Sequence, residues 1–505
     1  MKRIQYLAFL FAFVIFFSCG SDDEGMDPIS DPDPDPKEEI DPDNEDFEID
    51  DFIYENMNLY YLYKEDVADL ANNRWESEQK YKQYLANFES PESLFDNLLS
   101  KDLLLGQRKD RFSFLINDIN TFKNAQSGVI TTSGMQFKVG LIFQDSRDLF
   151  GYVTYVLPNT DAATKGIQRG QFFTHVDGLK LTIDNFLDLL INDNASFTIG
   201  FADQDFQRTE DITLLKAQHI EDPIHIAKTL EFNGKRVGYL MYNEFNFDFN
   251  GQLNEVFADF KAEGISDLVL DLRYNGGGSV NTAIALAGMI TGQFKGEIFT
   301  QNSHNKDYQA AINNFANADE ILFDRFSDKV TIEIKDDGPN ITEPMNSLNL
   351  NRVIVLAGSN SASASELIIN SLEPYIEVVH IGNNTTGKFQ GSATIYDSER
   401  VFTRQGINPN HNYALQPLIV KIANKEGITD FANGLTPDYT FIENAFKMGT
   451  LGDVFEPWLN EALEYIVTGT LTETKNNGNS FKEVGNSKMK QLNYQRMYVD
   501  MVPEK

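Results

Sequence analysis

The sequence predicts a multidomain chain of mixed class, α/β and α+β, in which a helical region, a β-rich region and a longer βα region follow one another. Three observations indicate this. Aromatic and leucine residues recur at helical spacing from Asp51 to about residue 117, short strands with glycine punctuation fill residues 130–216, and apolar strands alternate with amphipathic helices from Gly238 onward. The composition agrees, because 41% hydrophobic residues and 34 glycines among 505 residues are typical of globular proteins.

Residues 1–18 have the form of a secretory signal. A basic head is followed by an almost wholly apolar run over residues 4–17, which is shorter than the ~20 residues of a membrane-spanning helix. Its end resembles a bacterial lipobox, although Phe16 stands where that pattern usually has leucine. The resemblance implies that Cys19, the one cysteine in the sequence, is lipidated and becomes the mature N-terminus. The alternative is a plain secretory signal that happens to contain a cysteine.

Residues 19–50 predict an acidic, disordered tether. Between residues 20 and 50 there are fifteen Asp or Glu and one Lys, with a DPDPDP repeat, so this stretch has no apolar face to bury. The acidic residues directly after Cys19 are similar to signals that send some lipoproteins to the outer cell surface. The net charge of the whole chain is −34, which argues against a nucleic-acid partner because phosphate binding needs a positive surface.

Two regions precede the βα region. Residues 51–117 predict a helical domain, and its stripes of Tyr and Leu are interpreted as core. Residues 118–216 predict a β-rich domain whose motifs, GMQF at 134–137, GIQRG at 166–170 and VDG at 176–178, resemble a PDZ domain. That resemblance implies a loop in which backbone N–H groups hold a peptide carboxylate while the peptide adds as a strand. The residues of this loop are Gly134, Met135, Gln136 and Phe137.

Residues 217–469 predict a mainly parallel sheet covered by helices on both faces. In such folds the functional groups gather where the strands end. Three segments follow predicted strands: DLRYNGGG over 271–278, GSNSASASE over 358–366, and TTGK over 385–388. Each has an ordinary structural explanation when taken alone, since glycines form tight turns and serines cap helices.

The three segments together favour nucleophilic catalysis. A glycine turn directs N–H groups at an anion, and a serine at a helix N-terminus lies near the positive end of the helix dipole. A lysine acts as a general base only when burial lowers its pKa. Ser363 and Lys388 are separated by one helix and one strand, so a single crossover brings their loops side by side. The six histidines form no HExxH pair and no triad motif, which leaves Ser–Lys as the stronger dyad.

These segments closely resemble the carboxyl-terminal (tail-specific) processing proteases of serine peptidase family S41, over roughly residues 50–466. The lead-in DRFS at 110–113 and NGLTPD at 433–438 belong to the same pattern. The resemblance implies a crotonase-like βα protease core, Ser363 as the nucleophile and Lys388 as the general base. It also implies an oxyanion hole made by the backbone N–H groups of Gly277 and Ala364.

One position departs from the family pattern. Many members carry a glutamine four residues after the lysine to orient the base, whereas this chain has Ser392 there. There are three alternatives: Ser392 orients Lys388 in place of the glutamine, Gln390 does so, or the chain makes no such contact. The expected function is a serine endopeptidase that recognises protein C-termini through a PDZ domain and cleaves envelope proteins. The alternative is a catalytically inactive PDZ peptide-binding lipoprotein on the same scaffold.

The expected partners follow from this interpretation. They are protein or peptide substrates bound by their C-termini, and a membrane reached through the lipid anchor, with no nucleic acid, metal or cofactor. The expected location is the bacterial cell envelope, anchored by lipid at the outer membrane or cell surface and facing the periplasm or the exterior. Residues 470–505 are expected to form a polar tail, without an assigned role.

Overall fold

A six-stranded sheet forms the centre of the molecule in the computed structural model, which describes residues 47–143, 145–332, 340–471, 481–492 and 494–499. Every neighbouring pair of its strands is parallel except the first pair, which is antiparallel. The predicted parallel sheet is therefore confirmed. Its strands in spatial order are Ile224–Phe232, Lys235–Tyr242, Asp267–Asp271, Arg352–Ala357, Glu377–Gly382 and Tyr439–Thr440.

Helices cover both faces of this sheet. Side chains alternate between the faces of a strand, and accordingly Leu268 and Leu270 join one apolar cluster while Val269 joins the other. The first cluster includes helices Asn250–Glu263, Val280–Thr291 and Ala364–Leu372, and the second includes Pro457–Thr468. Burial on both faces explains why these strands are nearly continuous apolar runs.

A second, mixed sheet lies at the end of the core where the predicted functional loops emerge. It contains the short strand directly after the glycine-rich turn and the strand that follows Lys388. Its strands in spatial order are Gly278–Ser279, Met497–Tyr498, Gln390–Ser392, Leu418–Ala423, Ile298–Ser303 and Phe323–Arg325. Smaller elements complete this region: helices Phe247–Phe249, Lys306–Ile312 and Ala318–Leu322, and strands Lys329–Ile332, Ile341–Pro344, Ile395–Tyr396 and Ala414–Gln416.

The N-terminal region is helical at first and then adds short strands. Its first helix begins at Glu48, inside the stretch predicted as tether, because Phe47 and Phe52 are buried in the core. Strand Phe114–Ile116 pairs with a strand of the core, so residues 51–117 do not form a separate helical domain as predicted. The helices are Glu48–Tyr60, Lys64–Asp66, Ala68–Leu70, Glu78–Leu85, Pro91–Asn97 and Ile119–Gln126, and the strands are Leu103–Leu104, Gln107–Arg108, Phe114–Ile116 and Val129–Thr132.

The β-rich region is a seven-stranded sheet with two short helices, Asp161–Thr164 and Phe186–Leu190. Six of its strands lie within the predicted range, and Ala217–Ile220 pairs with Val129–Thr132 beside it. The seventh strand, Glu483–Asn486, comes from the stretch predicted as a polar tail, which corrects that prediction. The six strands are Met135–Leu141, Leu149–Val156, Phe172–Val176, Leu179–Lys180, Ser196–Ala202 and Arg208–Leu215.

Two expectations concern residues outside this description. The predicted signal, Cys19 and most of the acidic tether lie before residue 47, outside the described residues. Within the described ranges, no helix combines the length and the apolar character needed to cross a bilayer.

Candidate active site

Ser363 stands at the junction between a strand of the central sheet and the helix Ala364–Leu372. Its backbone has φ +67° and ψ −117°, a conformation that residues other than glycine rarely adopt. The residue is fully buried, and its Oγ has no hydrogen-bond partner among the described residues. Strain and an unsatisfied buried hydroxyl both cost stability, and such costs are concentrated at functional sites.

The glycine-rich turn at residues 271–278 packs directly on this serine. The Asn275 carbonyl accepts hydrogen bonds from the Ala362 N–H at 3.1 Å and the Ser365 hydroxyl at 3.0 Å. Gly277 has φ +108°, and a Cβ there would lie 2.6 Å from the Cβ of Ser363. Only glycine allows this close approach.

The predicted oxyanion-hole donors differ in what they contact. The Gly277 N–H donates to Asn275 Oδ1 at 2.8 Å, so it is already engaged within its own turn. The next N–H, that of Gly278, donates to the Arg496 carbonyl at 2.5 Å. Ala364 lies in the first turn of its helix, where N–H groups have no intrahelical acceptor. In the glycine turn, the Gly277 N–H thus bonds to a side chain of the same turn, whereas the Gly278 N–H bonds to a main-chain carbonyl.

Lys388 lies on the loop after strand Glu377–Gly382 and is 1% exposed. Its Nζ donates to the Gln495 carbonyl at 3.1 Å and lies 4.9 Å from the ring centroid of Phe112. Burial, with a smaller contribution from the positive charge of Arg496, lowers the pKa of Lys388 well below its ordinary value. A buried amine of this kind is poised to lose its proton, as a general base must.

Glu366 connects the serine and lysine loops. Its carboxylate accepts the Ser363 N–H at 2.7 Å and the Lys388 N–H at 2.9 Å. It also accepts the Gly387 N–H at 2.6 Å and the Thr385 hydroxyl at 2.5 Å. Burial raises the pKa of Glu366 to about 7, against the opposing effect of these four donors. Glu366 was not predicted from the sequence, because its spacing from the serine is also that of an ordinary helix-capping glutamate.

Neither residue predicted to orient the lysine is bonded to it. Gln390 donates to the Tyr63 hydroxyl at 2.6 Å. Ser392 donates to the Met497 carbonyl at 3.0 Å and accepts from the Gln416 side chain at 3.1 Å. The geometry does not support an orienting role for Gln390 or Ser392, because the hydrogen bonds of both lead away from Lys388.

The motif at residues 110–113 holds the lysine loop from the other side. Asp110 is buried and accepts the N–H groups of Phe112 and Ser113 at 3.0 and 2.9 Å, which fixes the turn that carries Phe112 to Lys388. Arg111 donates to the Gly387 carbonyl at 3.1 Å. The family resemblance includes this motif, but its contact with the lysine loop could not be predicted from the sequence.

The predicted peptide-binding loop lies at the start of strand Met135–Leu141. The Gly134 N–H donates to the Thr132 hydroxyl at 3.0 Å, so it is not available to a carboxylate in this arrangement. Gln136 accepts the Ser487 hydroxyl at 2.5 Å, and the Phe137 carbonyl accepts the Ser487 N–H at 3.0 Å. The edge of this strand that faces away from the rest of the predicted domain is thus covered by another part of the same chain.

Comparisons with known proteins agree with this architecture. The model of peptidase family S41 matches residues 236–441, and that of the peptidase S41 N-terminal domain matches residues 48–114, together more than half of the chain. A probable CtpA-like serine protease of Staphylococcus aureus is 25% identical over 346 residues, 67% of this chain and 60% of the relative. That of Staphylococcus haemolyticus is 23% identical over 278 residues, 52% of this chain and 49% of the relative.

A solved structure shows the same fold. The putative S41 protease from Bacteroides fragilis has a TM-score of 0.59 and 22% identity, covering 83% of this chain and 97% of that one. The two family matches include the glycine turn, Ser363, Lys388 and the motif at residues 110–113. Residues 48–114 and 236–441 therefore resemble the N-terminal domain and the peptidase domain of family S41.

Proposed function

We propose that the protein is a serine endopeptidase in which Ser363 is the nucleophile and Lys388 the general base. The observation that carries the proposal is a buried, strained, unpartnered serine hydroxyl on a loop joined through Glu366 to a buried lysine of lowered pKa. A neutral lysine amine accepts the serine proton, which a charged one cannot do. The Ser363 Oγ then attacks the peptide carbonyl.

The remaining steps follow from the same groups. Lys388 passes the proton to the leaving amine, which leaves an acyl-enzyme on Ser363, and it then takes a proton from the water that hydrolyses this ester. The developing oxyanion needs N–H donors, and the Ala364 N–H at the helix N-terminus and the Gly278 N–H of the glycine turn are the best placed.

Substrates are proposed to be extended polypeptides recognised near their C-termini. Strand Met135–Leu141 of the β-rich domain has an edge that accepts an added strand, which is the way PDZ domains bind peptides. Glu483–Asn486 pairs with this edge, and the Gln495 carbonyl accepts a hydrogen bond from Lys388, which supports a peptide path from the edge to the dyad.

Cleavage of an unstructured test protein with varied final residues tests this function. The full chain is expected to cut the test protein, and to cut it faster with some C-terminal residues than with others. Ser363→Ala and Lys388→Ala are expected to be inactive. Equal inactivity of all three proteins, with C-terminal peptides still bound, would instead favour the inactive peptide-binding lipoprotein.

A bacterial envelope location through a lipid on Cys19 is part of the proposal, supported by the apolar run and the acidic stretch on either side of the cysteine. Expression of the full chain and of Cys19→Ala, followed by membrane fractionation, tests it. The parent is expected in the membrane fraction and the variant in the soluble fraction. Identical distributions would contradict lipidation.

A further inference from the structure

Residues 481–492 and 494–499, the returning segment, contact two parts of the proposed site: the edge of strand Met135–Leu141 and the loop of Lys388. The first part adds a strand, Glu483–Asn486, antiparallel to strand Met135–Leu141, with Asn486 opposite Lys138. The carboxylate of Glu483 lies 3.2 Å from the amine of Lys138. A segment bound as an added strand on this edge is bound as a peptide ligand would be.

Apolar contacts hold the same part of the segment between the strand and a helix. Val484 and Met489 pack against the core cluster of the β-rich domain. A Cβ on Gly485 would lie 2.8 Å from the ring of Phe186, in the helix Phe186–Leu190. The returning segment thus fills the groove between a sheet edge and a helix.

The second part of the segment passes the dyad. Lys388 donates to the Gln495 carbonyl and Gly278 to the Arg496 carbonyl, so a catalytic amine and a main-chain donor both hold its backbone. Strand Met497–Tyr498 then pairs in parallel with Gly278–Ser279. While Lys388 donates to Gln495, the hydroxyl of Ser363 has no partner among the described residues, so the dyad is not assembled.

The side chain of Arg496 enters an aromatic pocket. The carbon of its guanidinium lies 3.3 Å from the ring centroid of Phe114 and 5.9 Å from that of Phe122. Its Nη1 is buried and has no hydrogen-bond partner in the described part of the chain. Burial lowers the pKa of Arg496, consistent with a cation that has lost water without gaining a carboxylate.

This pocket suits an exchangeable ligand better than a structural strand. Cation–π contacts with two rings recover only part of the cost of desolvating a guanidinium, so an apolar residue would serve a permanent strand better.

We propose that the returning segment is bound as a substrate is bound, with Arg496 in an arginine-selective subsite formed by Phe114 and Phe122, and that it competes with substrates for the dyad. The proposal rests on the function proposed above. It predicts that substrates carry an arginine at the position that enters this pocket. It also predicts that the full chain is partly inhibited by its own segment.

The test compares Arg496→Ala with Lys490→Ala in the full chain. Lys490 is a matched control, because it is a cation of the same segment that faces solvent. With a fluorogenic peptide that contains one arginine, Arg496→Ala is expected to raise kcat/KM at least fivefold over the parent. Lys490→Ala is expected to stay within twofold of the parent. Equal rates for all three proteins, with unchanged thermal unfolding, would overturn the proposal.

A binding measurement separates this proposal from the proposed catalysis. Labelled peptide YQRMYV, the sequence of residues 494–499, is expected to bind Arg496→Ala by fluorescence anisotropy at least tenfold more tightly than YQAMYV. Adding Phe114→Leu to Arg496→Ala is expected to reduce that preference. If the peptide binds in this way but no substrate is cut, the catalytic proposal fails and the subsite stands. If the two peptides bind equally, the subsite is overturned whatever the activity.

Discussion

The carboxylate of Glu366 accepts the main-chain N–H of Lys388 at 2.9 Å, in the fully buried space between the serine and lysine loops. With the bond from the Ser363 N–H, this makes one side chain the common anchor of the proposed nucleophile and the proposed base. The relative position of the two proposed catalytic residues therefore depends on a third residue that touches only their backbones. Glu366 is a positioning residue rather than a catalytic one.

Glu366→Gln is expected to lower both stability and activity. The glutamine amide has one oxygen acceptor and one NH2 donor, whereas four donors surround the Glu366 carboxylate. At least two buried groups therefore lose their acceptor, and each loss costs about 1–3 kcal/mol of stability. We expect the free energy of unfolding in urea to fall by roughly 2–5 kcal/mol, and kcat to fall at least tenfold as the loops separate. Glu464→Gln, on the exposed side of the last helix, is the control and is expected to change neither. Unchanged kcat in Glu366→Gln would rule out the anchoring role.

The activity is expected to rise with pH as Lys388 loses its proton. Burial and Arg496 lower its pKa while Asp110 and Glu366 oppose them, and the net effect places the transition well below 10.5. Between the lowered pKa and 10.5 the unfolded chain binds the extra proton, so stability also rises with pH over that range. Lys388→Met is expected to be inactive at every pH and to lose this part of the stability profile. A pH–rate profile of the variant that matched the parent would remove Lys388 from the mechanism.

Gly277→Ala is expected to abolish activity and to destabilise the fold by roughly 2–4 kcal/mol. A Cβ at this position would lie 2.5 Å from the Arg496 carbonyl and 2.6 Å from the Ser363 Cβ, in a backbone conformation that alanine rarely adopts. Gly166→Ala is the matched control, since Gly166 also has a positive φ of +73° but nothing within 4 Å. The control should cost about 1–2 kcal/mol and retain activity. Equal losses in both variants would show that strain alone is responsible.

Acid is expected to destabilise the protein through Glu443. Burial alone raises its pKa, but the charges of Arg169, Lys138 and Arg273 outweigh burial and lower the pKa to about 2 from an ordinary 4.5. The folded carboxylate therefore contributes stability that is complete above pH 4.5 and is lost as pH falls toward about 2. The contribution is about 3 kcal/mol. Between pH 4.5 and about 2, the free energy of unfolding should change less with pH in Glu443→Gln than in the parent. Equal changes in both proteins would contradict the role given to Glu443.

The central sheet can be predicted from local patterns in the sequence, whereas the contacts between residues far apart in the chain cannot. Continuous apolar strands and strand-end motifs predicted the parallel sheet and the loops of Ser363 and Lys388. Glu366 was missed because a glutamate three residues into a helix has an ordinary capping explanation. The pairing of Ser487 with Phe137 joins residues 350 apart, and no local periodicity encodes such a partner.

The predicted polar tail differs from the structure for a related reason. A polar composition after Gly469 predicts exposure, but a strand held at a sheet edge and at an active site needs backbone hydrogen bonds more than apolar side chains. The orienting role given to Ser392 and Gln390 relied on spacing along the chain. The strand Gln390–Ser392 instead directs these side chains to Met497 and Tyr63.

Detection of an acyl-enzyme by peptide mass spectrometry is the decisive measurement for Ser363 as nucleophile and Lys388 as base. The full chain is mixed with a peptidyl ester, quenched in acid within seconds and digested for mass spectrometry. A transient adduct of the mass of the acyl group is expected on the peptide that contains Ser363, and it is expected to be absent in both Ser363→Ala and Lys388→Met. An adduct on another residue, or peptide cleavage by Ser363→Ala at the parent rate, would contradict these roles.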